Sequence, residues 1–413
     1  LPSSMGVSIL IPKDTDKLTA TIRYGDYIRV EKEEGVEGPP IEWRRIPREE
    51  TLMLELGNKI PGSGKVNVPN SRGVELVWSL RGVPYTGIIG GLPDGTQSLS
   101  VFVVNKRVPS PDEVSDEAFI FQAELELTSD KPLVARPNLR SLESNDWDER
   151  VADLQYRDNC EFSVGHSVST AAIINDCECR TVKTCWIPDA EVERVAPAQI
   201  DGVELRMENL GLLRDGDDAK EQLGNFVTKY REWIKEQGAS APTSPPRRKE
   251  TSDELLKRAG FAADRIEAGI ALLDEPDCLE AFRLANKTMA AQGRRRLALL
   301  LGKKPEEITP AWRPFQLAFI LMNLKGIAEP GEADREVVDL LFFPTGGGKT
   351  EAYLGLAAFT LVLRRLRNPG IASAGLSVLM RYTLRLLTLD QLGRAAALIC
   401  ALELERQQDV TKL

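Results

Sequence analysis

The chain has 413 residues, 42% of them hydrophobic and 28% charged, a globular composition with room for two to four packed domains. Six cysteines without a repeated pair pattern speak against a disulfide-built secreted domain, and neither an apolar run of membrane-spanning length nor a basic-then-apolar leader occurs, so a soluble cytoplasmic protein is expected. The net charge of −9 hides an asymmetry: residues 281–413 carry 19 Lys and Arg against 12 Asp and Glu, while the residues before them carry 34 against 50.

That basic surplus fits either a nucleic-acid surface or solvated helix faces. The chain opens at Leu1 rather than methionine and shows no natural stop at Leu413, which reads as a portion of a longer protein.

From the start to about residue 130 the apolar residues alternate. In "KLTATIRY" Leu18, Ala20, Ile22 and Tyr24 share one face, and "SLSVFVV" (98–104) and "AFIFQAELEL" (118–127) repeat the pattern between turn clusters. An antiparallel sandwich or barrel-like domain is predicted for 1–130, followed by a mixed α+β domain over 131–238 with strand-like runs around "CRTVKTCWIP".

From Asp217 the period changes. Leu223, Phe226, Val227, Tyr230, Trp233 and Ile234 mark one face of a helix ending at Gly238. "ASAPTSPPRRKETS" (239–252) reads as a linker, and 253–308 as a helical segment. "ALLDEPD" (271–277) has the look of a metal-holding strand end, but its helical spacing with Ile266, Ile270 and Leu273 makes it a helix closed by Pro276.

Residues 309–413 carry the chemistry. "REVVDLLFF" (335–343) has the length and continuous apolarity of a strand buried on both faces, and "PTGGGKTEA" follows it into a predicted helix. Strand, glycine-rich turn and helix is the context in which a Gly-Lys-Thr signal denotes phosphate binding. Gly346, Gly347 and Gly348 allow backbone N–H groups to turn toward a phosphate, and Thr345 shapes the bend. Lys349 is placed to meet the β/γ-phosphates, and Thr350 to carry Mg²⁺ at the helix N-terminus. The full G-x-x-x-x-G-K-[ST] pattern would put glycine at position 343, where this chain has Phe343. "PGSGKV" (61–66) shares Gly-x-Gly-Lys but has Val66 where a hydroxyl is needed, and reads as a hairpin turn.

"WRPFQLAFILMNL" (312–324) precedes the loop and reads mostly as a buried helix. Gln316 can both donate to and accept from an adenine edge, with Phe315 packing nearby. After the loop, residues 374–380 read as a second strand of a βαβ unit with a right-handed crossover. Arg381, Thr383 and Arg385 then open a helix where a nucleic-acid phosphate could be gripped, surface charge being the competing explanation.

"RPFQ", "PTGGGKT" and "MRYTLRLL…Q" in this order resemble the first RecA-like domain of superfamily 2 helicases. The matching positions are Gln316, Lys349 with Thr350, and Thr383 with Arg381 and Arg385. "ARPNLRSLESNDWDERVADLQYRDNCEFSVGHSVS" (135–169), "WIPDAEVERVAPAQIDGVELRMENL" (186–210) and "MRYTLRLLTLDQ" (380–391) are similar to the DrmA family, the large helicase subunits of bacterial DISARM anti-phage systems.

The resemblance implies a DNA-dependent ATPase using ATP and Mg²⁺, partnered by a DrmB-like subunit. It also implies that the Asp-Glu motif and a second RecA-like domain would follow after residue 413, so that this chain alone hydrolyses essentially no ATP. The fold expected is multidomain: β-rich, then mixed and helical, then an incomplete RecA-like P-loop domain. A reading of another class is a non-catalytic DNA- or protein-binding assembly module whose phosphate loop is structural.

Other chemistry has less support. His166 lies in sequence near Cys160, Cys177, Cys179 and Cys185, but without a Cys-x-x-Cys pair these read as small buried residues rather than zinc ligands. Pro188-Asp189 with Asp218-x-Lys220 has nuclease-like spacing, yet Asp218 and Lys220 fall at a helix start. A single histidine leaves almost no room for a Ser-His or Cys-His mechanism.

Overall fold

The computed structural model describes residues 3–31, 41–56, 61–83, 92–111, 114–137, 145–176, 178–192, 194–342, 347–382 and 385–408, with backbone only for 385–387. They divide into two compact units, Leu1–Val192 and Glu193–Leu413.

The first unit is built from the alternation seen in the sequence. Its strands are β1 (Ser4–Ile11), β2 (Lys17–Glu31), β3 (Ile41–Glu55), β4 (Gly62–Asn67), β5 (Val74–Gly82), β6 (Gln97–Asn105), β7 (Phe121–Ser129), β8 (Ser163–His166), β9 (Ser169–Asn175) and β10 (Glu178–Cys185), with helix α1 (Trp147–Gln155) between β7 and β8. They form two antiparallel five-stranded sheets, in the orders β4-β5-β6-β1-β8 and β3-β2-β7-β10-β9.

Because side chains alternate across a strand, every second residue turns inward. Val7, Ile9 and Ile11 of β1, Leu18, Ala20, Ile22 and Tyr24 of β2, Leu99, Val101 and Val103 of β6 and Leu125 and Leu127 of β7 meet in one core. Strand β1 is flanked by distant partners: Ser4 to Ile11 pair with Val104 to Gln97, and Gly6 to Ile9 pair with His166 to Ser163.

The sheets do not stop near residue 130. Strands β8 to β10 complete both of them, and Cys179 and Val182 of β10 lie in the same core. The tripeptide context in "PGSGKV" is also not a turn. Residues 62–67 are strand β4, paired with β5, and a Cβ on Gly64 would stand 2.7 Å from the ring of Trp78. That glycine is required by an aromatic neighbour rather than by a bend.

The second unit is helical: α2 (Met207–Leu210), α3 (Gly216–Ala239), α4 (Pro246–Ala271), α5 (Pro276–Leu301), α6 (Pro314–Ala328), α7 (Lys349–Arg367) and α8 (Arg385–Gln408). Local chemistry sets their ends. Asp215 caps α3, its carboxylate accepting from the Asp218 N–H at 2.9 Å, and proline opens α4, α5 and α6. Gly302, in the left-handed conformation, closes α5.

Residues 246–252, within the proline-rich stretch 239–252, are already the first turns of α4, and Thr251 there is buried. "ALLDEPD" closes α4 with a 3-10 turn over Leu272–Asp274 before Pro276 starts α5, as its helical spacing predicts. Asp218 and Lys220 are spent on Arg214 and Asp274, at 3.2 and 2.6 Å. Nothing in that arrangement resembles a nuclease centre.

Two predicted strands differ in the structure. Residues 337–342 and 376–382 have neither helical nor strand hydrogen bonding, and no parallel sheet occurs among the described residues. Apolar side chains that the sequence reading places between two sheet neighbours are bare: Val338 is 94% exposed, Phe342 91% and Leu376 75%. A stretch can be a strand only beside another one, and among the described residues neither finds a neighbour. A RecA-like sheet is therefore not formed by the described residues.

What does hold the approach to the loop is an ion pair. Arg265 of α4, 6% exposed at its side chain, donates to both carboxylate oxygens of Asp339 at 2.6 and 2.9 Å.

Candidate nucleotide-binding site

The site is assembled on the first turn of α7. Gly348 is the N-cap of that helix with φ of +91°, a conformation that costs a side-chain-bearing residue about 1–3 kcal/mol. Lys349 and Thr350 are the first helical residues and lie at the positive end of the helix. Thr345, Gly346 and Phe343 lie outside the described residues.

Helix α6 is fastened directly to this turn. The Gln316 side-chain N–H donates to the Gly348 carbonyl at 2.7 Å, and its Oε1 accepts from the Arg313 backbone N–H at 2.8 Å. Arg313 Nη1 donates to the Gly347 carbonyl at 2.6 Å. Two side chains of "RPFQ" thus tie down the consecutive carbonyls of Gly347 and Gly348.

Gln316 is 4% exposed, and each end of its amide keeps one further hydrogen-bonding capacity. Sequence reasoning singled out Gln316 but passed over Arg313. The only signal for it was its place three residues before that glutamine, where it also caps α6.

The seat for these contacts is rigid. The Trp312 indole N–H donates to Asn286 Oδ1 of α5 at 2.7 Å with both residues buried. A Cβ on Gly355 of α7 would lie 2.7 Å from the Trp312 ring, so α7 approaches α6 as closely as only glycine permits.

The carboxylate of Glu351, in the same first turn of α7, accepts from Arg296 of α5 at 2.6 Å and from Arg394 of α8, both on Oε1. These three residues were not foreseen. The pairs of Glu351 with Arg296 and with Arg394 span 55 and 43 positions, and an ion pair of that separation leaves no periodic trace.

Of the residues proposed to contact DNA, Arg381 is exposed and lines a 700 Å³ groove with Arg335, Phe319, Tyr353 and Thr360. Thr383 lies outside the described residues. Arg385 begins α8, but its side chain is not described. Burial raises the Tyr382 hydroxyl above its ordinary range, with Tyr353 and Arg394 among the groups acting on it.

Of the cysteines read as small buried residues, Cys179 is buried, but Cys185 is half-buried and Cys160 exposed. Burial pushes the Cys278 thiol up to about 12, far from a thiolate at neutral pH. Among the described residues no cluster of His, Cys, Asp and Glu could hold a metal ion, Cys177 being outside them. Nor, among them, is any helix long and apolar enough to cross a membrane.

No family model matches the chain. Across an alignment of 433 residues it is 32% identical to the DISARM protein DrmA of Bacillus paralicheniformis. The chain is a relative of DrmA. The alignment takes in 98% of this chain and 36% of DrmA. The chain thus spans about a third of the length of the DrmA protein it matches.

Proposed function

We propose that this chain is the nucleotide-binding portion of an ATP-dependent DNA helicase or translocase subunit of a bacterial anti-phage defence complex. The observation that carries the reading is the double tie from Gln316 and Arg313 to the carbonyls of Gly348 and Gly347. A glycine turn at a helix N-terminus is an anion site on general grounds. A turn whose carbonyls are held by a glutamine able to serve an adenine edge is suited to a whole nucleotide.

In this reading Lys349 neutralises the β/γ-phosphates, Thr350 holds Mg²⁺, and Gln316 with Phe315 meets the base. Thr345, Gly346, Gly347 and Gly348 supply the backbone cradle. Arg381, Thr383 and Arg385 contact the DNA backbone, and a DrmB-like subunit is the partner in the cytoplasm. The similarity to DrmA supports the defence assignment.

Binding of a fluorescent ATP analogue with Mg²⁺ to this chain, together with ATPase turnover of the full-length protein titrated with single-stranded DNA, tests the reading beside a Lys349→Ala control. Saturable binding and DNA-stimulated turnover, both lost in the control, are expected. Equal behaviour of wild type and control would transfer the weight to an assembly module with a structural loop.

A further inference from the structure

A 350 Å³ cavity lies in the β-rich unit where the end of β6, the start of β7, the β8–β9 turn and the residue following β10 meet. Val103, Phe119, Phe121 and Trp186 give it an apolar, aromatic wall, the lining of a small binding site. Its rings are held in place by one another. Phe121 stands edge to face with Tyr27 at 5.0 Å and with Phe119 at 6.4 Å, while Trp186 is 57% exposed.

Backbone geometry sets this cavity apart. Gln122 and Ser167 both line it with positive φ, +49° and +61°, a conformation that residues with a side chain hold only at a cost. Gln122 follows Phe121, where β7 slips its register against β2 between Arg23 and Gly25, and such a bulge re-aims a side chain. Its Oε1 accepts from Arg45 Nε at 2.7 Å. Arg45 reaches it across Gly25, where a Cβ would stand 2.8 Å from the same nitrogen. The amide nitrogen of Gln122 is not used in that bond and can donate to a ligand. Asn105, the other amide in the lining, is spent on the Ala118 carbonyl and the Arg107 N–H, at 2.9 and 3.1 Å.

The chemistry of the occupant follows from charge and area. None of the described residues lining the cavity is ionisable, although 28% of the chain is charged, and residues 1–192 carry 21 Lys and Arg against 31 Asp and Glu. A phosphate-bearing ligand or a nucleic-acid strand is a poor match to such a site. Apolar surface also continues outside it, since Ile187, next to Trp186, is 80% exposed. A free small molecule fills the cavity and leaves that strip in water, whereas a polypeptide covers both.

We infer that this cavity seats one aromatic side chain of a partner polypeptide, whose neighbouring apolar residues lie along Trp186 and Ile187. The entering ring packs against Phe119 and Phe121, and Gln122 donates to a peptide carbonyl beside it. The site lies within the β-rich unit and does not depend on the nucleotide-binding reading.

The test pans a library of displayed linear peptides on this chain and measures the enriched peptides, dye-labelled, by fluorescence polarisation. Wild type is compared with Trp186→Ala and with Ser4→Trp, which places an indole in the cavity, and thermal melting checks that each is folded. Indole alone and oligo(dT) are the competing probes. Enriched peptides are expected to share one aromatic residue among apolar ones. Affinity is expected to fall at least about tenfold when that residue becomes alanine and in both protein variants, the loss typical of a buried anchor. No shared aromatic residue, or equal affinity in the folded variants, would overturn the proposal. Indole binding without any enriched peptide would overturn the polypeptide occupant in favour of a small molecule. Oligo(dT) binding lost in the same variants would overturn it in favour of nucleic acid.

Discussion

At the scale of single residues, the contact that fixes the candidate site's floor is the bond from the Trp312 indole to Asn286. Asn286 also donates to the Phe282 carbonyl at 2.9 Å, so its amide serves the helix backbone and the indole together. Asn286→Ala strands a buried indole donor, which costs about 1–3 kcal/mol. Urea unfolding of the helical unit is expected to shift by that amount, with weaker ATP binding because Trp312 abuts both Arg313 and Gly355. An unchanged midpoint would show that water or another acceptor replaces Asn286. The residues legible in the sequence were those with a local signature. Gln316 stood out as an amide on an apolar helix, and Gly348 and Lys349 as part of a spaced motif. Arg296, Arg394 and Glu351 had none, because long-range ion pairs join arbitrary positions and ordinary surface helices carry the same residue types.

Helices and strands show the same division. Alternation located β2, β6 and β7, and the i, i+3, i+4 spacing located α3, because both follow from side-chain direction within one element. Whether residues 337–342 and 376–382 pair depends on other segments, and composition cannot report that. Loops between elements are set by equally local chemistry. Before α2, the Glu204 carboxylate accepts from the Arg206 guanidinium at 2.8 Å, from the Arg206 backbone N–H at 2.8 Å and from Asn209 at 2.6 Å. These bonds, the Arg206 side chain first, hold Glu204 down to about 2 from an ordinary 4.5. A lowered carboxylate stabilises the fold fully above its unfolded value, and that contribution is lost as pH falls through the folded one. Stability of the helical unit is thus expected to decline between about pH 4.5 and about pH 2, and Glu204→Gln to flatten the decline. Parallel acid unfolding curves for the two proteins would show that other carboxylates govern it.

On the scale of the whole chain, the described residues between Trp186 and Ile200 carry neither helix nor strand and are mostly exposed, and the division into two units falls among them. Arg194 there is exposed. Brief trypsin treatment is expected to cut first after Arg194 and yield two folded fragments, read by intact mass and circular dichroism, since each unit has its own core. Early cuts scattered through either unit would contradict that division. The order of synthesis adds a consequence of how β1 is flanked. Strand β1 is made well before one of its neighbours, which ends at His166. With translation at about 5–20 residues per second, on the order of ten seconds separate the emergence of the two. Throughout that interval Val7, Ile9 and Ile11 belong to a nascent strand with at least one open edge. A ribosome stalled short of β8 would display an adhesive end, and cells making this protein have reason to keep a holding chaperone close to the tunnel exit.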